Sequence, residues 1–400
     1  MKKKVNVGFM AGVLVLAVIL TFNVTYVLVW HSFSDRIQNL SAREASFSKI
    51  SEICAYIDEF FIGEYDEKKL LEGISDGYVG ALGDFSSYYL TKEEAQALLS
   101  GADSGYTGIG IISSYDQDNA GIRILQMPEG SSAQEHGLEV LDCIVAVDGM
   151  PVNTVGYESA LEMIRGEEGT EVALTVYRQI TGERFNVIVR RGAVVTQQAI
   201  ACRMLDDVTG YIRLDNFDEG VDAAFSAAYA DLRNQGMERL VLDLRMNPGG
   251  YMEQVCAIAD QFLEKGQIIY KERDYSGNVV VHYAAEGAET IDIAVLINEF
   301  TAGGAEYFAA ALAENGRAKV VGSVSAGVGY AQSSIELSDG SVLVLSTTEY
   351  LTAKGNSLQG TGYAPDVEQV MDIDELYEVL TLTDPADRQL DAACAALKNG

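Results

Sequence analysis

Leu240-Val241-Leu242-Asp243-Leu244-Arg245, continued without a break by Met246-Asn247-Pro248-Gly249-Gly250, reads as a buried strand that runs into a tight turn. The apolar run has strand length, and it stops at residues that stop strands: proline fixes φ and the two glycines open positive φ. Beyond the turn an apolar-periodic helix extends to about Leu263. Strands are also expected at Gly210-Tyr211-Ile212-Arg213-Leu214, from Ile291 to Ile297 and from Lys319 to Gly322, with a helix after Gly303. This alternation implies an α/β layer architecture from about Ala193 onward.

The rest of the chain is organised differently. Residues 1–38 begin with Met1-Lys2-Lys3-Lys4, and the uncharged apolar run from Gly8 to Trp30 is long enough to cross a hydrocarbon core of about 30 Å. A single-pass transmembrane helix is expected, with the basic tip in the cytoplasm, Tyr26 and Trp30 at the far interface and the bulk extracytoplasmic. A cleaved secretory signal is the alternative, disfavoured by the length of the run and the lack of an Ala-x-Ala site near its end. From Ser41 to about Leu99, within a region of residues 39–101, Phe47, Ile50, Ile53, Ile57 and Phe60-Phe61 recur at helical spacing. That stripe would serve either an internal core or a dimer surface.

Composition excludes several function classes. The 400 residues allow two or three domains, and 48% hydrophobic content suffices for real cores. A net charge of −31 argues against a nucleic-acid partner, because phosphate binding rests on Lys and Arg. His31, His136 and His282 fall in separate segments. Cys54, Cys143, Cys202, Cys256 and Cys394 show no metal-ligand spacing, and four of them sit among apolar residues, so buried free thiols are expected. No metal or cofactor is expected.

Three further runs carry the chemistry. Asn298-Glu299-Phe300-Thr301-Ala302-Gly303-Gly304-Ala305-Glu306 joins a strand to a helix. Gly322-Ser323-Val324-Ser325-Ala326-Gly327-Val328-Gly329-Tyr330-Ala331-Gln332 follows the next strand. Between residues 102 and 192, Tyr106-Thr107-Gly108-Ile109-Gly110-Ile111, Gly137-Leu138, Asp148-Gly149 and a helix from about Tyr157 to Arg165 stand in the order of a PDZ domain.

Together with the Leu-Asp-Leu-Arg-x-Asn-Pro-Gly-Gly run, Asp84-Phe85-Ser86-Ser87-Tyr88-Tyr89, Gly355, Gln359-Gly360 and Pro365-Asp366, these runs resemble the bacterial C-terminal processing peptidases, also called tail-specific proteases. The resemblance implies a crotonase/ClpP-like spiral of β-α units over residues 193–400, closed by a C-terminal helix, with an inserted PDZ domain at 102–192. It also implies a site. The family carries its serine nucleophile where this chain has Gly303 and its lysine base where this chain has Val328. Residues 313–318 match the family's connection without a gap, so no register shift returns a Ser and a Lys to those places. Gln332 keeps its family identity, and Asn247, Gly249 and Gly250 belong to the loop that helps hold the oxyanion.

A serine hydroxyl is a weak nucleophile without a neighbouring base. The resemblance therefore implies a catalytically inactive member that binds protein C-termini, or a partner peptidase, through Tyr106, Thr107, Gly108, Ile109 and Gly110, whose backbone N–H groups would receive a terminal carboxylate. A homodimer, or a heteromer with an active relative, is a further expected assembly. The alternative is an active serine endopeptidase with a displaced dyad drawn from Thr301, Ser323, Ser325 and Lys354. A small-molecule carrier that uses the vacated cleft is a third reading, with no residue pointing to a ligand.

Overall fold

The computed structural model describes residues 47–84, 86–96, 107–128, 130–193, 200–285, 289–382 and 386–398. The expected span from Gly8 to Trp30 lies outside these residues, and no described helix is long and apolar enough to cross a membrane. The chain divides into two units, residues 1–71 and 72–400.

In the first unit the helical spacing does form a helix over 47–60. Phe47, Ile53, Tyr56 and Phe60 are exposed on it. A second helix, Glu67–Gly80, follows. The expectation of helix up to Leu99 needs correction, because β1 (Tyr88–Leu90) is a strand and pairs antiparallel with Val342–Val344. Tyr89 and Leu90 are buried there; two adjacent large apolar residues joining an existing sheet edge outweigh local helical periodicity.

The inserted domain begins with β2 (Thr107–Gly108), β3 (Ile112–Asp116), β4 (Gly121–Gln126), β5 (Asp142–Val147) and β6 (Met150–Pro151). It closes with β7 (Glu171–Arg178), β8 (Glu183–Arg190) and β9 (Gly192–Ala193), the last paired back onto β2. Its main sheet runs β3-β4-β5-β7-β8, which leaves β3 at an edge. The helix Tyr157–Ile164 packs its Ala160 and Ile164 into a core with Ile122, Ile144, Leu174 and Val189.

The remaining strands are β10 (Ile200–Met204), β11 (Thr209–Leu214), β12 (Arg239–Asp243), β13 (Ile268–Asp274), β14 (Val279–Tyr283), β15 (Asp292–Ile297), β16 (Ala318–Gly322), β17 (Tyr330–Glu336), β18 (Val342–Leu351) and β19 (Val367–Glu368). Six form a sheet in the order β10-β11-β12-β15-β16-β19, parallel except for β10. Parallel strands need crossovers, and here helices Val221–Asn234, Met252–Ala259 and Gly304–Glu314 supply them. Burial on both faces explains why β12 and β15 read as continuous apolar runs. The second of those helices stops at Ala259, short of Leu263, although Phe262 and Leu263 stay in the core. A second sheet runs β1-β18-β13-β14, with β17 paired to β18.

The two domains touch through Leu125 and Leu141 of the inserted domain, which pack with Met246 and Leu376 of the core. Tyr377 Oη donates to Glu139 Oε2 at 2.7 Å across the same contact. The expectation for the cysteines also needs correction. Only Cys143 is buried, while Cys54 and Cys202 are exposed and Cys256 and Cys394 half-buried. Cys54 lies on the exposed helix 47–60 and Cys202 on the outermost strand β10, so apolar sequence neighbours did not bring burial.

Candidate functional site

Strand β15 ends at Ile297 and the helix begins at Gly304, so residues 298–303 make one sharp turn. Buried polar groups fix it. Thr301 Oγ1 donates to Leu244 O at 2.8 Å and accepts Asn298 N at 3.0 Å, while Asn298 Oδ1 accepts Met246 N at 3.1 Å. Ala302 N donates to Asn247 O at 2.9 Å. Through these bonds the turn is tied to the Met246–Gly250 loop. Gly249 sits so close that an added Cβ would meet Gly304 N at 2.8 Å and Ala302 O at 2.9 Å, at φ +101, where L side chains are strained in any case. Its N–H donates to Asn247 Oδ1 at 2.8 Å.

At the tip stands Gly303, with φ 51 and ψ −125. A side chain here would have room, since Pro248 O at 3.5 Å is its nearest neighbour, but it would hold a sparsely populated backbone conformation. The turn thus keeps the sharp geometry that projects a residue at the start of a helix, with hydrogen as the side chain.

Glu306, one turn into the helix, is the hub of the site. It is fully buried. Its Oε2 accepts Gly303 N at 2.9 Å and Val328 N at 2.8 Å; its Oε1 accepts Ser325 Oγ at 2.5 Å and Gly327 N at 2.8 Å. Because one oxygen receives both Gly303 and Val328, their amide nitrogens lie within about 6 Å of each other, the span of two hydrogen bonds. The positions that the family resemblance pairs are therefore neighbours in space. Burial pushes the Glu306 carboxyl up to about 7, with the Ser325 hydroxyl and three backbone amides pulling the other way. Sequence reading quoted Glu306 and gave it no role. The available signal was its place three residues after Gly303, the acidic half of a capping box, because a side chain there reaches back to the N-cap amide.

The three hydroxyl candidates for a displaced dyad each hold a hydrogen bond of their own, and the backbone of the lysine candidate lies at the far end of the helix. Thr301 holds the turn. Ser325 Oγ donates to Glu306 and accepts Tyr363 N at 2.7 Å, and Ser323 Oγ donates to Glu299 Oε2 at 2.7 Å. Lys354 N donates to Glu314 Oε2, at the far end of the helix that starts at Gly304; ten residues of helix span about 15 Å. Gln332, expected beside residue 328, is exposed on β17, where its amide bonds Tyr330 O and Ser346 Oγ. It shares that exposure with the rest of β17, of which Ala331 alone is half-buried.

Nearby, the Asp243 and Arg245 of the Leu-Asp-Leu-Arg run make a buried ion pair extended by Asp387 at 2.8 Å. Burial opposes the charges, but the Arg245 guanidinium prevails and holds Asp243 below its ordinary value. This pair ties the loop's root to the start of the C-terminal helix, where Arg245 Nη1 donates to Gln389 Oε1 at 3.3 Å.

In the inserted domain Tyr106 lies outside the described residues. Gly108, Ile109 and Gly110 are buried, and Ile109 O accepts Ala133 N at 2.7 Å, which fixes the loop against the helix Ser132–Glu135. Edge strand β3 and the helix Tyr157–Ile164 form the groove, bridged by Ser113 Oγ and Tyr157 Oη at 3.1 Å. A cavity of about 350 Å³ continues from Ile112, Leu161 and Arg165 to Asn216, Pro248, Gly249 and Gly250 of the core. The groove and the Pro248–Gly250 loop thus share one opening. Among the described residues no group of His, Cys, Asp and Glu would hold a metal ion.

Comparison with known proteins agrees with this geometry. The profile of peptidase family S41 matches residues 208–369, and that of the PDZ domain matches residues 96–177. A probable CtpA-like serine protease of Staphylococcus aureus (strain MSSA476) is 28% identical over 365 residues, 90% of this chain and 71% of that protein. The carboxy-terminal processing protease CtpA of Bacillus subtilis (strain 168) is 29% identical over 332 residues, 83% of this chain and 70% of its own. Among solved structures, a photosystem II D1 C-terminal processing protease superposes with a TM-score of 0.67 at 25% identity, covering 88% of this chain and 91% of its own.

Proposed function

Because this chain belongs to the C-terminal processing peptidases of family S41 with a PDZ domain, we propose that it is a member without proteolytic activity, which binds protein C-termini or a partner peptidase. The observation that carries the reading is the pair Gly303 and Val328, bonded to one carboxylate oxygen of Glu306 and lacking both a hydroxyl and a basic nitrogen. A peptidase that loses catalytic groups acting as a unit retains only the residual rate from oxyanion stabilisation and binding, about 10³ to 10⁴ over water in a well-studied case. The purified protein should stay unlabelled by a fluorophosphonate serine probe under conditions that label an active relative. Stoichiometric labelling would overturn the proposal.

The relatives' description as proteases favours a second reading, an endopeptidase with a displaced dyad. Against it stand the hydrogen bonds that occupy Thr301, Ser323 and Ser325 and the remote backbone of Lys354.

The binding half of the proposal rests on the loop Thr107–Gly110 and on β3, which ends its sheet among the described strands. Peptides with a free C-terminal carboxylate should bind, and amidating that terminus should weaken binding at least about tenfold, because the amide removes the charge that backbone N–H groups receive. Equal affinity for both peptides would refute this mode. The proposal also places the chain at the cell membrane, its bulk extracytoplasmic, on the basic flank and apolar span of residues 2–30. Protection of the bulk from protease added outside intact protoplasts would refute that placement.

A further inference from the structure

We propose that the peptide groove of the inserted domain selects tails that carry a lysine or arginine about four residues ahead of their terminal carboxylate. The inference rests on the terminus-binding reading above and adds the chemistry of the tail. The loop Thr107–Gly110 precedes β3, so a tail whose terminus sits at that loop and pairs with the edge of β3 runs antiparallel to it, its upstream residues leading toward Asp116. From Ile111, beside the loop, to Tyr115 is four steps along the chain, about 13 Å of strand.

At Tyr115 the groove opens into a second cavity, of about 440 Å³. Tyr157, at the start of the helix that walls the groove, lines this cavity as well as the one at Leu161 and Pro248, so the two lie at opposite ends of one groove. Its ring meets that of Tyr115 edge-on, with 5.9 Å between centroids. A further wall comes from the helix Glu67–Gly80 and the segment after it. Gly77, Gly80 and Gly83 stand there, and a Cβ added at any of them would meet nothing within 4 Å, so a long side chain has room.

Charge selects the occupant. The loop end offers backbone N–H groups to an anion. The far cavity gathers Asp76, Asp84 and Glu158 among Tyr88, Tyr115 and Tyr157, and no Lys, Arg or His lines it among the described residues. Burial raises the Glu158 carboxyl above its ordinary value, with Arg165 opposing and Glu162 adding, so Glu158 gains from a cation that reaches it. The tyrosine rings add a cation–π attraction for an ammonium or guanidinium that leaves water. A tail with its negative terminus at one end and a positive side chain at the other therefore matches the groove along its length. An acidic side chain at the same place meets like charge.

The test uses the full chain in detergent and labelled, unstructured peptides of one parent sequence, with binding read by fluorescence anisotropy. A tail with Lys about four residues ahead of a free terminus should bind at least about tenfold more tightly than one with Glu there. Moving the Lys to about eight residues ahead should lose that gain; the move is the control for the net charge of −31, which attracts a basic peptide wherever its lysine sits. Glu158→Gln combined with Asp76→Asn should cut the preference for Lys over Glu to less than about threefold. Equal affinity for free and amidated tails refutes terminus binding itself. Where the free carboxylate is needed, equal affinity of the Lys and Glu tails, or a Lys that acts equally from either place, overturns this proposal alone. A preference that survives the double substitution does the same. Should that variant fail to fold, the position series on the unmodified chain decides the question.

Discussion

Gly303→Ser combined with Val328→Lys should give a protein that reacts with a fluorophosphonate probe and cleaves an unstructured polypeptide slowly, about 10² to 10³ above the unmodified chain, a fraction of the roughly 10⁶ that a complete serine machine is worth. The expectation follows from geometry. Residues 303 and 328 both donate their amide to Glu306 Oε2, so side chains added there start from neighbouring backbone. A Cβ at 303 clears its surroundings, with Pro248 O at 3.5 Å as the closest atom. The new serine must hold φ 51 and ψ −125, which costs about 1 to 3 kcal/mol and should lower thermal stability by a few degrees.

Each single variant should be inert, because an unactivated serine and a lysine without a nucleophile accomplish nothing alone. Activity of the double variant should rise with pH as the lysine loses its proton. A folded double variant that neither labels nor cleaves would show that the cleft has drifted too far for the two side chains alone to give acyl chemistry. Gly249 N–H, held by Asn247 Oδ1, is the group to examine then.

The second large effect concerns Glu306. Its folded value of about 7 lies above the ordinary 4.5, so the carboxyl is protonated in the fold at pH values where the unfolded chain ionises. Stability from this group is full below pH 4.5 and is lost as pH rises through 7; the gap is worth about 3 kcal/mol. Glu306→Gln resembles the protonated carboxyl, with an NH₂ where the acid has an OH, and should cost no more than about 1 kcal/mol at about pH 5. Between about pH 5 and about pH 8 its stability relative to wild type should rise by about 2.5 kcal/mol, because wild type must ionise the buried group and glutamine need not. Urea unfolding of both proteins at the two pH values reads the difference directly, and the other acidic groups cancel in the comparison. Parallel stabilities would show that the four donors hold Glu306 ionised throughout, against the effect of burial.

The sequence by itself determined the order of elements in the core and the residue types at positions 303 and 328. The apolar runs at residues 240–244 and 293–297 are buried on both faces, so their composition was a direct imprint of a parallel sheet. Gly303 and Val328 were legible because residue type at a gap-free position is a statement about covalent structure and needs no coordinates. Tertiary structure decided what surrounds them. That Thr301 and Ser325 are structural follows from bonds to Leu244 O, Tyr363 N and Glu306, partners up to 57 residues away in the chain. Local pattern gave no sign of them, because a hydroxyl looks the same in sequence whether it is free or held. Tyr88–Leu90 became a strand through pairing with β18, more than 250 residues downstream, against helical periodicity in its own neighbourhood. The role of Glu306 arose from four donors converging on one carboxylate from two loops, an arrangement that only the packing of those loops creates.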